Sequence, residues 1–101
     1  MAFCLTQDFP AEGTDRSTTN YDAMHARLAP LAAEATGFVA HSAGWTDDGG
    51  FRIVEFWESR EDCEAFMRDH VMPAVQDVIG EGAAMPTTTA YDLHSLVLAP
   101  R

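Results

Sequence analysis

The chain contains no lysine. Its six basic residues are all arginine, set against sixteen acidic ones, for a formal net charge of −10 over 101 residues. A surface of that sign repels phosphate backbones and anionic lipids, so no nucleic-acid and no membrane partner is expected. Two cysteines, Cys4 and Cys63, are too few and too scattered for a disulfide framework or a metal motif. They read as small core hydrophobes. No apolar run approaches the roughly 18–20 residues of a membrane helix. The first residues carry neither a basic region nor an apolar signal core, so a cytoplasmic protein is expected. Also missing are a glycine-rich phosphate loop, a serine nucleophile motif and a dinucleotide fingerprint. Four histidines without an i, i+4 pair or a cysteine partner give no metal site.

What is present suits one domain, residues 1–101, with a single modest core. Its centre is the stretch 50–59, in which Phe51, Ile53, Val54, Phe56 and Trp57 make a strand covered on both faces. Ser59 then stops the strand and offers an N-cap oxygen to a helix, with Asp62 three residues on. Glu55 stands out, because it shares a pleat face with Ile53 and Trp57 and a carboxylate there needs a partner.

Before it come a first strand over residues 2–9 and a polar loop from Pro10 to Thr18. A helix capped by Thr19 follows, with Tyr21, Met24, Leu28 and Leu31 on one apolar stripe. Pro30 is expected to kink it and Gly37 to end it. Phe38 to Trp45 is a second strand, joined to the central one by the Asp47–Gly50 turn. The second helix runs from about Arg60 and is interrupted at Pro73, which opens a further segment to Ile79. Thr87 to Leu98 reads as a final strand. The order β-α-β-β-α-β gives an α+β, ferredoxin-like fold with a four-stranded antiparallel sheet and both helices on one face. A bare second face carrying apolar side chains predicts a homodimer, two sheets packed face to face.

The hairpin register follows from its turn. Pairing Trp45 with Phe51 sets Ala43 opposite Ile53, His41 opposite Glu55 and Val39 opposite Trp57, all on one face. That face is apolar apart from the His41–Glu55 couple. As a structural pair, the carboxylate satisfies a buried imidazole. As a catalytic pair, Glu55 fixes the tautomer of His41, which serves as general base between Trp45 and Trp57. On the last strand, His94 either packs or anchors a substrate oxygen, and Tyr91 either lies at an interface or donates to a ligand. Phe66 completes an apolar wall. His70, just before Pro73, is expected at an exposed helix end, and His25 at the pocket or core edge.

The segment Val54-Glu-Phe-Trp-Glu-Ser59, with Phe66 and Pro73 after it and Tyr21 and Gly37-Phe-Val-Ala-His41 before it, resembles the dimeric α+β barrel superfamily. The branch it is most similar to is the antibiotic biosynthesis monooxygenase-like domains. The resemblance spans essentially the whole chain. It implies a small homodimer with a ligand cavity between sheet and helices. Some members oxidise polyketide-type phenols with molecular oxygen and no flavin or metal; others degrade haem, isomerise or cyclise. Haem is disfavoured, because the haem-degrading branch has Trp and His where this chain has Phe66 and Gln76. The expected protein is thus a cofactor-independent monooxygenase-like enzyme, or a related cyclase or isomerase, acting on an aromatic or polyketide-like molecule with no cofactor. The alternative is a non-catalytic small-molecule-binding or accessory dimer of the same fold.

Overall fold

In the computed structural model, which describes residues 1–11 and 18–100, a run of β-branched and aromatic residues forms the central strand β3 (Phe51–Trp57). Around it, in chain order, are β1 (Phe3–Phe9), α1 (Thr19–Glu34) and β2 (Phe38–Trp45), and, after β3, α2 (Arg60–Phe66), a π-helical turn (Met67–Val71), α3 (Met72–Val78) and β4 (Thr87–Asp92). The strands form one antiparallel sheet in the order β2-β3-β1-β4. This is the expected βαββαβ, ferredoxin-like arrangement. The polar loop expected from Pro10 to Thr18 falls mostly on residues 12–17, outside the described residues.

Phe3 and Leu5 of β1, Trp57 of β3 and Cys63 and Phe66 of α2 make the buried core, and Leu28, Ala32 and Ala35 pack on it from α1 or just beyond its end. The helices therefore cover the sheet face carrying Phe3, Leu5, Glu55 and Trp57. Burying side chains of this size stabilises the fold by about 1.5–3 kcal/mol each. No helix among the described residues is long and apolar enough to cross a membrane.

The caps follow the local sequence. Ser59 Oγ accepts the Asp62 N–H at 3.1 Å, starting α2 where the sequence marks it. Gly37 closes the approach to β2 with φ +81°, and the Asp62 carboxylate occupies the space a Cβ there would need. Only glycine fits at that point.

Several expectations need correction. α1 starts at Thr19 itself, so Thr18 holds the cap position, its hydroxyl donating to Asp22 at 2.8 Å. As expected, Pro30 lies inside α1, on its exposed side. The interruption near Pro73 begins earlier, as the π-helical turn. Pro73 has no N–H to offer Asp69, and the wider turn carries the chain past that missing bond into α3. β4 stops at Asp92 rather than Leu98. Asp92 pairs with Phe3, the first residue of β1, and one further bond from Leu93 N–H to the Ala2 carbonyl ends the ladder. Apolar character continues to Leu98, but no further strand pairing forms there among the described residues, and Leu98 lies with Val39 and Ala40 of β2 around a shared hollow.

The hairpin register is the expected one from Trp45↔Phe51 to His41↔Glu55. Beyond that a bulge intervenes, so Phe38 rather than Val39 lies opposite Trp57. The bulge brings the Phe38 ring edge-on to Trp57, centroids 5.4 Å apart.

Candidate functional site

Trp57, at the end of β3, is fully buried, and its indole Nε1–H donates to Glu55 Oε1 at 3.1 Å. The other carboxylate oxygen, Oε2, lies 3.0 Å from His41 Nδ1 across the hairpin. A carboxylate only accepts, so the proton of that bond sits on Nδ1. In the neutral ring this leaves Nε2 as an acceptor, and the Tyr21 hydroxyl meets it at 2.7 Å from α1. The result is one continuous chain: Trp57, Glu55, His41, Tyr21. His41 and Glu55 retain 25% and 13% side-chain exposure, so the couple is sheltered but not sealed.

The Tyr21 end of the chain opens onto aromatic surface. Its ring lies 5.3 Å from Phe51, Phe51 lies 4.9 Å from Trp45, and His25 stacks 5.7 Å from Tyr21 on the other side. His25 Nδ1 is 3.5 Å from the Tyr21 hydroxyl, at the outer limit of a hydrogen bond. Burial, with the charges of Asp22 and Glu55 adding, raises the Tyr21 phenol above its ordinary value. A free phenolate is therefore disfavoured. Behind the couple, burial first and then Glu55 and Glu64 push the Cys63 thiol up to about 12, which leaves it no nucleophilic thiolate near neutrality.

Of the residues singled out in the sequence, His41, Glu55 and Trp57 are joined directly. The Phe66 ring lies tilted against Trp57 at 5.3 Å within the core, and Trp45, 39% exposed, lies edge-on to Phe51. The space between Trp57, His41 and the second helix is thus largely filled by Trp57 and Phe66.

Tyr91 and His94 do not join them. Tyr91 pairs with Cys4, the residue between the helix-facing Phe3 and Leu5, and alternation puts it on the opposite side of the sheet. His94 lies beyond the end of β4 and is exposed. His70 is half-buried rather than at an exposed helix end, its ring 5.1 Å from Phe66 on the π-helical turn. Sequence reasoning placed Tyr21 only on an apolar stripe and missed its role as the third group of the chain. A signal existed in its i, i+4 spacing with His25, which puts a phenol and an imidazole on one helix face. Among the described residues, no three His, Cys, Asp or Glu side chains gather as metal ligands would.

No family model matches the sequence, and no curated protein does either. Solved structures match it over nearly its full length. The fold is that of the antibiotic biosynthesis monooxygenase-like domains. A monooxygenase from the ActVA-Orf6 gene of Streptomyces coelicolor, solved with the ligand nanaomycin D, superposes with a TM-score of 0.67 at 16% identity, covering 98% of this chain and 93% of that one. A variant of SnoaB, a cofactor-independent oxygenase from Streptomyces nogalater, gives 0.62 at 14% identity, covering 99% and 98%. A protein of unknown function from Nitrosomonas europaea gives 0.71 at 15% identity, covering 99% and 96%. At such identities the likeness establishes architecture, and the chemistry has to be argued from this chain's own side chains.

Proposed function

We propose that this chain is a cofactor-independent monooxygenase-like enzyme, or a related cyclase or isomerase, acting on an aromatic or polyketide-like phenol or enol. The observation that carries the reading is the hydrogen-bonded chain from Trp57 through Glu55 and His41 to Tyr21, opening onto the ledge of Phe51 and Trp45. A substrate ring lies against that ledge with its acidic O–H at the Tyr21 oxygen. Tyr21 passes its own proton to His41 Nε2 as it accepts the substrate's, and Glu55 stabilises the resulting imidazolium. The raised Tyr21 phenol fits this concerted role better than a standing phenolate. In the oxygenase version the substrate anion supplies the electrons. A phenol and one O₂ give a quinone and water, one oxygen atom entering the ring and the other leaving reduced.

The sheet face away from the helices carries Phe56, the buried Cys4 and the exposed Tyr91, and in this proposal the same face of a second copy packs on it. Sedimentation as a dimer is expected.

The test is oxygen uptake and quinone formation over a panel of hydroxynaphthalenes and hydroxyanthracenes. Turnover by the parent, lost in His41→Ala with the fold intact and weakened in Glu55→Gln, supports the proposal. Failure to turn over any member, or turnover indifferent to His41, contradicts it. One observation favours a second reading, a non-catalytic small-molecule-binding or accessory dimer: Trp57 and Phe66 largely fill the space behind the couple. In that case the panel binds without consuming oxygen.

A further inference from the structure

The line of hydrogen bonds through Trp57, Glu55, His41 and Tyr21 has one closed end and one open end. At the closed end the Trp57 indole is fully buried, and an indole N–H donates without accepting. Both nitrogens of His41 are engaged, Nδ1 with Glu55 and Nε2 with Tyr21. A proton taken up by His41 therefore has a single hydrogen-bonded way out, through the Tyr21 hydroxyl.

The neighbours of that hydroxyl decide where the proton goes. Asp22, next in sequence, turns its carboxylate to the Thr18 hydroxyl at 2.8 Å. His25 lies one turn further along α1 and is exposed. Its ring stacks on Tyr21 with centroids 5.7 Å apart and planes 28° from parallel, and lies 6.1 Å from the His41 ring. Its Nδ1 stands 3.5 Å from the phenol oxygen. One phenol thus stands between a sheltered imidazole and an exposed one. The contact with His41 is short at 2.7 Å and that with His25 long, because a hydroxyl has one proton to donate. Once His41 is an imidazolium, its Nε2–H donates to the phenol oxygen and the Tyr21 hydroxyl is free to turn to His25. Proton-transfer contacts are often long at rest and tighten in the working complex. Imidazole is also the side chain best suited to trading protons with water near neutrality.

We infer that His25 is the port through which the proton held by His41 reaches water. It acts through Tyr21 and does not touch the substrate. His41 Nε2 gives its proton to the Tyr21 oxygen as the Tyr21 hydroxyl gives its own to His25 Nδ1. His25 then releases a proton to water from its other nitrogen, and the exposed ring regains its starting tautomer by exchange with water. One proton leaves, no electrons move, and His41 and Tyr21 are neutral again. In the oxygenase version the departing oxygen takes its protons from water, so the sum is still phenol and O₂ to quinone and water. The role rests on the chemistry proposed above, in which the substrate's proton brings His41 to the imidazolium.

Two readouts test it, and one needs no turnover. The first is exchange of the Tyr21 hydroxyl hydrogen with water in the full chain, read from the deuterium isotope shift on its Cζ. Exchange should slow about tenfold or more in His25→Ala and in His25→Phe, which keeps a ring but no nitrogen. Free imidazole should restore it in His25→Ala. The second is quinone formation from any phenol that the parent turns over. There kcat should fall about tenfold in both variants at unchanged KM, while the first turnover keeps the parent rate. No turnover by the parent strikes the chemistry proposed above, and hydroxyl exchange then decides the port alone. Exchange that is unchanged or faster in either variant, or that free imidazole fails to restore, overturns the inference.

Discussion

On either side of Leu5 the layer between sheet and helices follows opposite plans. Toward β3 and β2 it is filled: an indole, a carboxylate, an imidazole and a phenol occupy it in a single hydrogen-bonded line among aromatic rings. Toward β4 it opens to solvent as a groove lined by Leu5, Met67, Met72 and the exposed Thr88 and Ala90. The first plan fixes geometry. A one-residue slip of the hairpin would carry His41 to the other face and strip Glu55 Oε2 of its donor, so the polar line holds the register as well as the site. The second plan leaves freedom, because Met67 and Met72 repack readily.

Substitutions can break this contrast in order of size. Trp57→Ala should cost about 3–5 kcal/mol in a denaturant melt, since it empties the centre of the core and removes one of the two donors to Glu55. Glu55→Gln should cost about 1–3 kcal/mol, because an amide offers one acceptor where two donors converge. Ala90→Trp on the groove side should stay within about 0.5 kcal/mol of the parent, as its site is exposed and lies over space. Equal costs on the two sides would dissolve the distinction.

A pH effect sharpens it further. The Tyr21 phenol is raised in the folded state, mainly by burial and then by Asp22 and Glu55. Its contribution to stability is complete below the ordinary tyrosine value of about 10 and is lost as pH rises through the folded value. Tyr21→Phe should remove that alkaline slope. The difference between parent and variant in phenolate absorbance should place the Tyr21 transition above that of a free tyrosine.

The sequence made the filled side partly legible. The Asp47–Gly50 turn and the period-two alternation of β2 and β3 set His41 opposite Glu55, a local relation that needs no knowledge of the helices. Tyr21 was harder, because its bond to His41 depends on how α1 lies on the sheet. The bulge at Val39 was hidden because Phe38 and Val39 are both apolar, and either satisfies the pattern opposite Trp57. Tyr91 was left between an interface and a ligand contact because parity within β4 means nothing until its pairing with β1 is known. For the same reason, alternation past Asp92 read as strand where the ladder with β1 has already ended. The groove toward β4 left no trace in the pattern, since it is a property of packing between elements.

The most direct measurement is the tautomer of His41 at neutral pH, from long-range ¹⁵N–¹H correlation spectra of the imidazole. The account predicts a proton on Nδ1 facing Glu55 and a bare Nε2 receiving the Tyr21 hydroxyl, with the Nε2 resonance shifting in Tyr21→Phe. A proton on Nε2 with Nδ1 bare, or an Nε2 signal indifferent to Tyr21→Phe, would contradict the account: His41 would then have no lone pair facing Tyr21 with which to accept a proton.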